Sequence, residues 1–225
     1  MLATLIFAGT LALAQDVFNP ARTYVVGEKD VYGLSMRLQA EKYEATIVGK
    51  QSYEVKKVFE NGDSEVESKS YDLTFSVMGQ EYKQPEGLPR VVRYNKFGAA
   101  IEKDVPKDQR QPIFMSYLTY RAPAAMKLGE TVRIAEKRDE DPNSEVKGTS
   151  KLESLKDGIA KVATNLVITY GKGKKPTNIE SIGYFDAKSS KLDRVECKLT
   201  GLDPADLPGM PPLQSITVVI ERERK

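Results

Sequence analysis

Histidine is absent from all 225 residues, which removes the commonest general base, the commonest metal ligand and every Ser-His or Cys-His nucleophile pair. Tryptophan is absent too, and cysteine occurs once, at Cys197. A lone thiol excludes an intramolecular disulfide and any cysteine-rich zinc cluster, so stability has to come from packing. Neither sign of charge is in excess, since 34 basic residues face 32 acidic ones. No concentrated basic face is left for nucleic acid. Past the N-terminus no apolar run reaches the roughly 18 residues that a membrane-spanning helix needs.

The remaining chemical motifs are weak. Gly171-Lys172-Gly173-Lys174-Lys175 has the composition of a phosphate loop, but no apolar helical run follows it, and it reads as a basic hairpin loop. Asp139-Glu140-Asp141 with Asn143 is the densest group of oxygen ligands. Glu145 and Gly148 do not stand where a calcium loop needs its glutamate and glycine, so this reads as a solvated acidic loop. Tyr43, Tyr53, Tyr71, Tyr82, Tyr94, Tyr117, Tyr120, Tyr170 and Tyr184 are spread along strand-like segments, where tyrosine is favoured for packing and cross-strand pairing rather than as a ligand platform. No catalytic, cofactor-binding or metal-binding residue is assigned, and no cofactor is expected.

What the chain does have begins at its N-terminus. Leu2 to Ala14 is apolar or small apart from Thr10, and it ends in Ala12-Leu13-Ala14 before Gln15-Asp16. A short apolar stretch closed by an A-x-A site has the form of a secretory signal peptide, here residues 1–14. The expectation is an exported protein, periplasmic or extracellular, with no transmembrane segment after cleavage.

Beyond it, apolar residues recur at every second position, the period of a strand with one face buried. Tyr71, Leu73, Phe75 and Val77 alternate with Asp72, Thr74 and Ser76; Val162, Leu166, Ile168 and Tyr170 recur around Ala163, Asn165, Val167 and Thr169, and Ile216, Val218 and Ile220 repeat the period. Cys197, within Val195-Glu196-Cys197-Lys198-Leu199, falls on the apolar side of such a strand and reads as a small core residue. Asn61-Gly62 and Asp157-Gly158 are dipeptides suited to type I′ hairpin turns. Asn95 to Gly98 and Asp186 to Ser190 mark two further turns. Pro112 and Pro123 bracket a short helix within 111–120, with Ile113, Met115, Tyr117 and Leu118 partly buried. Pro204 to Pro212 is an irregular connection, and the alternating charges of Glu221 to Lys225 read as protection of an edge strand.

An internal repeat is also visible. Val26-Gly27-Glu28 has a counterpart in Leu128-Gly129-Glu130, and each is followed by a similar order of strands and turns. The sequence thus predicts a mostly β protein: antiparallel sheets built from two similar halves, as one curved, half-barrel-like sheet or two adjacent β-units. The first unit is 15–103, the connector with its short helix 104–127, and the second unit 128–225. In this layout the chain resembles the half-barrel proteins that carry lipoproteins or lipids across the bacterial periplasm. The resemblance covers the predicted strand order and rests on no motif; it implies an apolar ligand on a concave face. The expectation is a non-enzymatic binding or carrier protein whose partner is a lipid, another hydrophobic ligand or a protein. The alternative is a structural or interaction module of the cell envelope with no pocket. The sequence leaves the oligomeric state open.

Overall fold

In the computed structural model residues 17–101, 113–138, 141–171, 174–203, 207 and 211–224 are described. The 1–14 segment, the first part of the connector and most of the acidic group at 139–141 lie outside them. So do parts of the 171–175 loop and of the Pro204 to Pro212 connection.

Alternation of apolar and polar residues becomes strand after strand. The chain forms β1 (Val17–Phe18), β2 (Lys29–Ala40), β3 (Glu44–Val58), β4 (Ser64–Val77), β5 (Gln80–Lys83), β6 (Arg90–Tyr94) and β7 (Ala100–Ile101). A 3-10 turn at Ile113–Tyr117 leads to β8 (Met126–Lys127) and β9 (Thr131–Arg138). Then come β10 (Asp141–Lys156), β11 (Ile159–Thr169), β12 (Thr177–Asp186), β13 (Leu192–Thr200) and β14 (Leu213–Arg222). All but β1 and β8 join one continuous curved antiparallel sheet in the order β7-β6-β4-β3-β2-β14-β13-β12-β11-β10-β9, with β5 paired to β4. β1 and β8 form a second, two-stranded sheet.

The two halves repeat in hydrogen bonding as well as in layout. Gly27 N–H donates to Val55 O (2.8 Å) and Val55 N–H to Glu28 O (3.0 Å). Gly129 N–H likewise donates to Leu152 O (2.8 Å) and Leu152 N–H to Glu130 O (3.3 Å). Both glycines have positive φ, 81° and 79°, a conformation that costs glycine little. β14 then fills the gap between β2 and β13.

That placement corrects the reading of Glu221 to Lys225 as edge protection. β14 is central, with Ile220 opposite both Val195 of β13 and Leu34 of β2. Its terminal charges pair across the sheet: Arg194 with Glu221 (2.5 Å), Arg222 and Arg224 each with Asp193 (2.6 Å), and Lys50 with Glu223 (2.7 Å).

The turns follow their sequences with one exception. Asp157 and Gly158 both have positive φ (53° and 76°), as a type I′ turn requires. At Asn61-Gly62 only Gly62 does. Gly62 N–H donates to Phe59 O and Phe59 N–H to Asp63 O, each at 2.9 Å, so this is a three-residue loop ending in a bulge. The Asn61 amide holds the longer form by donating to Asp63 Oδ2 (2.9 Å), and its Oδ1 accepts from Asp63 N–H (3.1 Å). Asn95 organises the β6–β7 turn in a similar way, with Oδ1 accepting from Phe97 N–H (2.9 Å) and Ala99 N–H (3.0 Å). Met78-Gly79, with φ of 51° and 78°, makes a hairpin that no Asn-Gly or Asp-Gly pair announces.

In the β12–β13 turn Asp186 Oδ1 accepts from Lys188 N–H (3.1 Å), Ser189 N–H (2.8 Å) and Ser189 Oγ–H (2.7 Å). Those bonds hold the Asp186 carboxyl below the usual carboxylate range. Asp186→Ala removes the shared acceptor, and chemical denaturation is expected to show a loss of about 1–2 kcal/mol.

One face of the sheet carries the core. Ala160, Val162, Leu166 and Ile168 of β11, Ile179 and Phe185 of β12, Val195, Cys197 and Leu199 of β13 and Ile216 and Val218 of β14 are buried on it. Burial pushes the Cys197 thiol up to about 12, as befits a packing residue. Against this face lie Phe18 of β1, Met126 of β8, and Phe114, Tyr117, Leu118, Tyr120 and Ala122 from the segment between β7 and β8. The helix expected at 111–120 is a 3-10 turn, and its most buried side chain is Phe114 rather than Ile113 or Met115. Leu118 N–H donates to Met115 O (3.5 Å) and Tyr120 N–H to Tyr117 O (3.4 Å), the i→i+3 spacing of the tighter turn.

Candidate functional site

The apolar face is unevenly covered. Leu34 and Met36 of β2, Ile47 of β3 and Phe75 and Val77 of β4 pack against the core yet stay half-buried. Register joins them into rows: Val218, Met36, Ile47, Phe75 and Tyr82 are successive cross-strand partners. Tyr82 at the end of that row is 46% exposed, and its ring lies 6.4 Å from that of Phe75. The matching face of β10 to β13 is sealed by Phe18, Phe114 and Met126 and their neighbours.

At the other end of the same strands the inner face becomes polar. Residues 19–24 cross two hairpin turns: Ser190 Oγ–H donates to Asn19 O, Thr23 N–H to Ser189 O (3.4 Å) and Arg22 N–H to Lys96 O (2.8 Å). Arg121 N–H donates to Phe97 O (2.9 Å), and its guanidinium lies 5.5 Å from the centre of the Phe185 ring. Between these segments and the sheet lies a cleft of about 640 Å3, counting the space at its mouth. Tyr32, Tyr53, Val55, Val66 and Ile220 supply sheet residues to its wall, and Arg22, Tyr24, Thr119 and Arg121 face it from the covering segments.

Charge in the cleft is arranged as a network with one cation left over. Arg22 Nη2 lies 3.3 Å from Glu28 Oε2 and 3.7 Å from Asp30 Oδ2. Lys191 Nζ is 2.7 Å from a carboxylate oxygen of each. Burial alone would raise the Glu28 carboxyl, but Lys191 and Arg22 outweigh it and hold it below its ordinary range. Arg121 is 3% exposed, and no carboxylate among the described residues pairs with it. Burial pulls its guanidinium below the usual arginine range; the phenols of Tyr24 and Tyr32 oppose that, and Arg22 adds like-charge repulsion.

Aromatic groups surround these charges. The Arg22 guanidinium stacks 4.5 Å from the centre of the Tyr24 ring. Tyr32 and Tyr53 meet edge to face at 5.5 Å, and Tyr32 Oη–H donates to Leu192 O (3.1 Å). Burial pushes both phenols well above the usual tyrosine range, so they remain protonated donors at neutral pH. Tyr53 and Tyr94, read in sequence as dispersed, converge here with Tyr24 and Tyr32 to line one cleft. Tyr117 and Tyr120 converge elsewhere, both donating to the Glu136 carboxylate.

Asp193 and Asp186 share with Glu28 a carboxyl held below its ordinary range. For Asp193 burial acts upward and is outweighed by Arg224 and Arg222. With folded-state values below unfolded ones, the unfolded chain binds protons more readily as pH falls. The stabilisation is present above the unfolded values, 3.8 for Asp and 4.5 for Glu, and is lost as pH drops through the folded ones. No histidine titrates between pH 5 and 8. Thermal unfolding is thus expected to give a midpoint flat from pH 5.5 to 8 and falling below pH 4; a step near pH 6.5 would contradict this.

Comparison with known proteins finds no matching family model and no matching curated protein. Among solved structures, one described as an outer membrane lipoprotein-sorting protein domain from Vibrio parahaemolyticus is 9% identical, covering 87% of this chain and 83% of that chain with a TM-score of 0.23. An N-terminal dehydratase from the difficidin assembly line is 8% identical, covering 88% and 79% with a TM-score of 0.14. Likenesses at these scores assign neither a fold family nor a function. Among the described residues no helix is long and apolar enough to cross a membrane.

Proposed function

We propose that the protein is a non-enzymatic binding protein, acting outside the cytoplasm, that holds a hydrophobic ligand on the inner face of its sheet. One observation carries this reading: Leu34, Met36, Ile47, Phe75 and Val77 continue the core's apolar face but stay half-buried. A face of that kind gains by being covered, at roughly 25 cal/mol for each Å2 of apolar surface removed from water. The carboxylates Glu28 and Asp30 in the adjacent cleft are ion-paired to Arg22 and Lys191, which suits a structural network better than acid-base chemistry. The run at residues 2–14 supports export.

The test is binding of an apolar dye such as 1-N-phenylnaphthylamine. The wild type is expected to enhance its emission saturably. Ile47→Glu sets a carboxylate in the middle of the row and is expected to weaken binding by about tenfold or more, since an apolar contact would then desolvate a charge. Ile47 is half-buried, so the glutamate can reach solvent and the fold is expected to survive. Equal dye binding by both proteins would end the proposal.

A further inference from the structure

Arg121 poses a problem that packing does not solve. A buried charge is ordinarily matched by an opposite one, yet no carboxylate among the described residues reaches this guanidinium, and its Nε has no hydrogen-bond partner. Among the described residues Arg22, Lys191 and Arg121 stand against Glu28 and Asp30, with both carboxylates already engaged. Gly98 helps make the room: its φ is 85°, and a Cβ there would sit 3.0 Å from Arg121 Nη2.

We infer that the cleft is an oxyanion site in which Arg121 receives a singly charged carboxylate or phosphate diester attached to an apolar body. The guanidinium offers a planar fork that matches either group with two parallel bonds. One negative charge balances the one unmatched cation, whereas a dianion would face Glu28 and Asp30. Tyr53 lines the same cleft, so its wall carries a phenol hydroxyl as well. Val55, Val66, Leu192 and Ile220 also line the cleft, which favours an organic anion over an inorganic one. On β2, Tyr32 at the cleft and Leu34 in the half-buried row are two residues apart and share a face. The bound molecule is therefore an anionic amphiphile, its head at Arg121 and its chain along Leu34, Met36, Ile47 and Phe75. The chain half of this inference rests on the reading above; the head half does not.

Calorimetry with decanoate, decanol, dihexanoyl phosphatidylglycerol and acetate tests it, alongside the melting temperature of each protein. Decanoate is expected to bind the wild type at least tenfold more tightly than decanol. Arg121→Gln is expected to remove that advantage while leaving decanol unchanged, and Arg121→Lys to keep part of it. Without ligand, Arg121→Met is expected to melt above the wild type, because it deletes an unmatched buried charge; a purely structural arginine would make it melt lower. Binding of decanoate alone identifies a free acid as the source of the anion, binding of the phosphatidylglycerol alone a lipid headgroup, and binding of both the shared oxyanion chemistry. Equal affinity for decanol and decanoate, or unchanged decanoate binding by Arg121→Gln, overturns the site and leaves the apolar reading standing. If no ten-carbon probe binds but acetate raises the melting temperature of the wild type and not of Arg121→Gln, the apolar reading has failed and the oxyanion site stands. If nothing binds, both fall.

Discussion

Gly148→Ala is expected to destabilise the protein by about 3 kcal/mol, at the upper end of what overpacking costs. The backbone of β10 passes so close to β11 at this point that a Cβ on Gly148 would lie 1.9 Å from Asn165 O and 2.9 Å from Leu166 Cα. Both obstacles are main chain, and the residue is held in a ladder running from Glu145 to Leu152 without a bulge. A rotamer change cannot relieve the clash; one strand has to move. Gly158→Asn is the control, since its φ of 76° suits asparagine and a Cβ there would meet nothing within 4 Å. Urea titration of the two variants is expected to separate them by more than 2 kcal/mol. A Gly148→Ala protein as stable as the control would mean that the two strands do not approach this closely.

Phe114→Ala is expected to cost more, about 3–5 kcal/mol, and to reach the cleft as well. Phe114 is 1% exposed in the main core, where it secures the segment that runs through Tyr117, Leu118 and Tyr120 to Arg121. Removing the ring leaves a cavity and loosens the covering layer that presents Arg121 to the cleft. Loss of stability together with weaker decanoate binding is the expected pair of results. Lower stability with unchanged affinity would show that Arg121 is positioned by its own contacts, such as Phe97 O and Gly98.

Much of this architecture is legible in the sequence because it is local. Strand period, the Asp157-Gly158 turn and the matched segments Val26-Gly27-Glu28 and Leu128-Gly129-Glu130 each depend on a few neighbouring residues, and each has a definite backbone consequence. The Asn61-Gly62 turn misleads because the same dipeptide fits two loops, and Asp63 decides between them through its bonds with Asn61. The position of β14 cannot be read locally, since Ile220 meets Leu34 and nothing in either segment specifies a partner so distant in sequence. The cleft is hidden for the same reason: Tyr24, Tyr32, Tyr53 and Tyr94 come from separate segments, and only the curl of the sheet assembles them. One signal does lie in the sequence. Arg121 is the single charged residue between Gln111 and Met126, in a stretch otherwise apolar enough to pack, and an isolated charge in such a stretch asks for a partner.

The claim on which the account depends is that the inner face of the sheet is a binding surface. Native mass spectrometry of the protein purified from its own host, followed by organic extraction, measures this directly. The account predicts one anionic, apolar molecule bound per chain, present in the wild type and depleted in Arg121→Gln. A wild-type preparation that flies at the bare mass of the chain and yields no extractable amphiphile would contradict it.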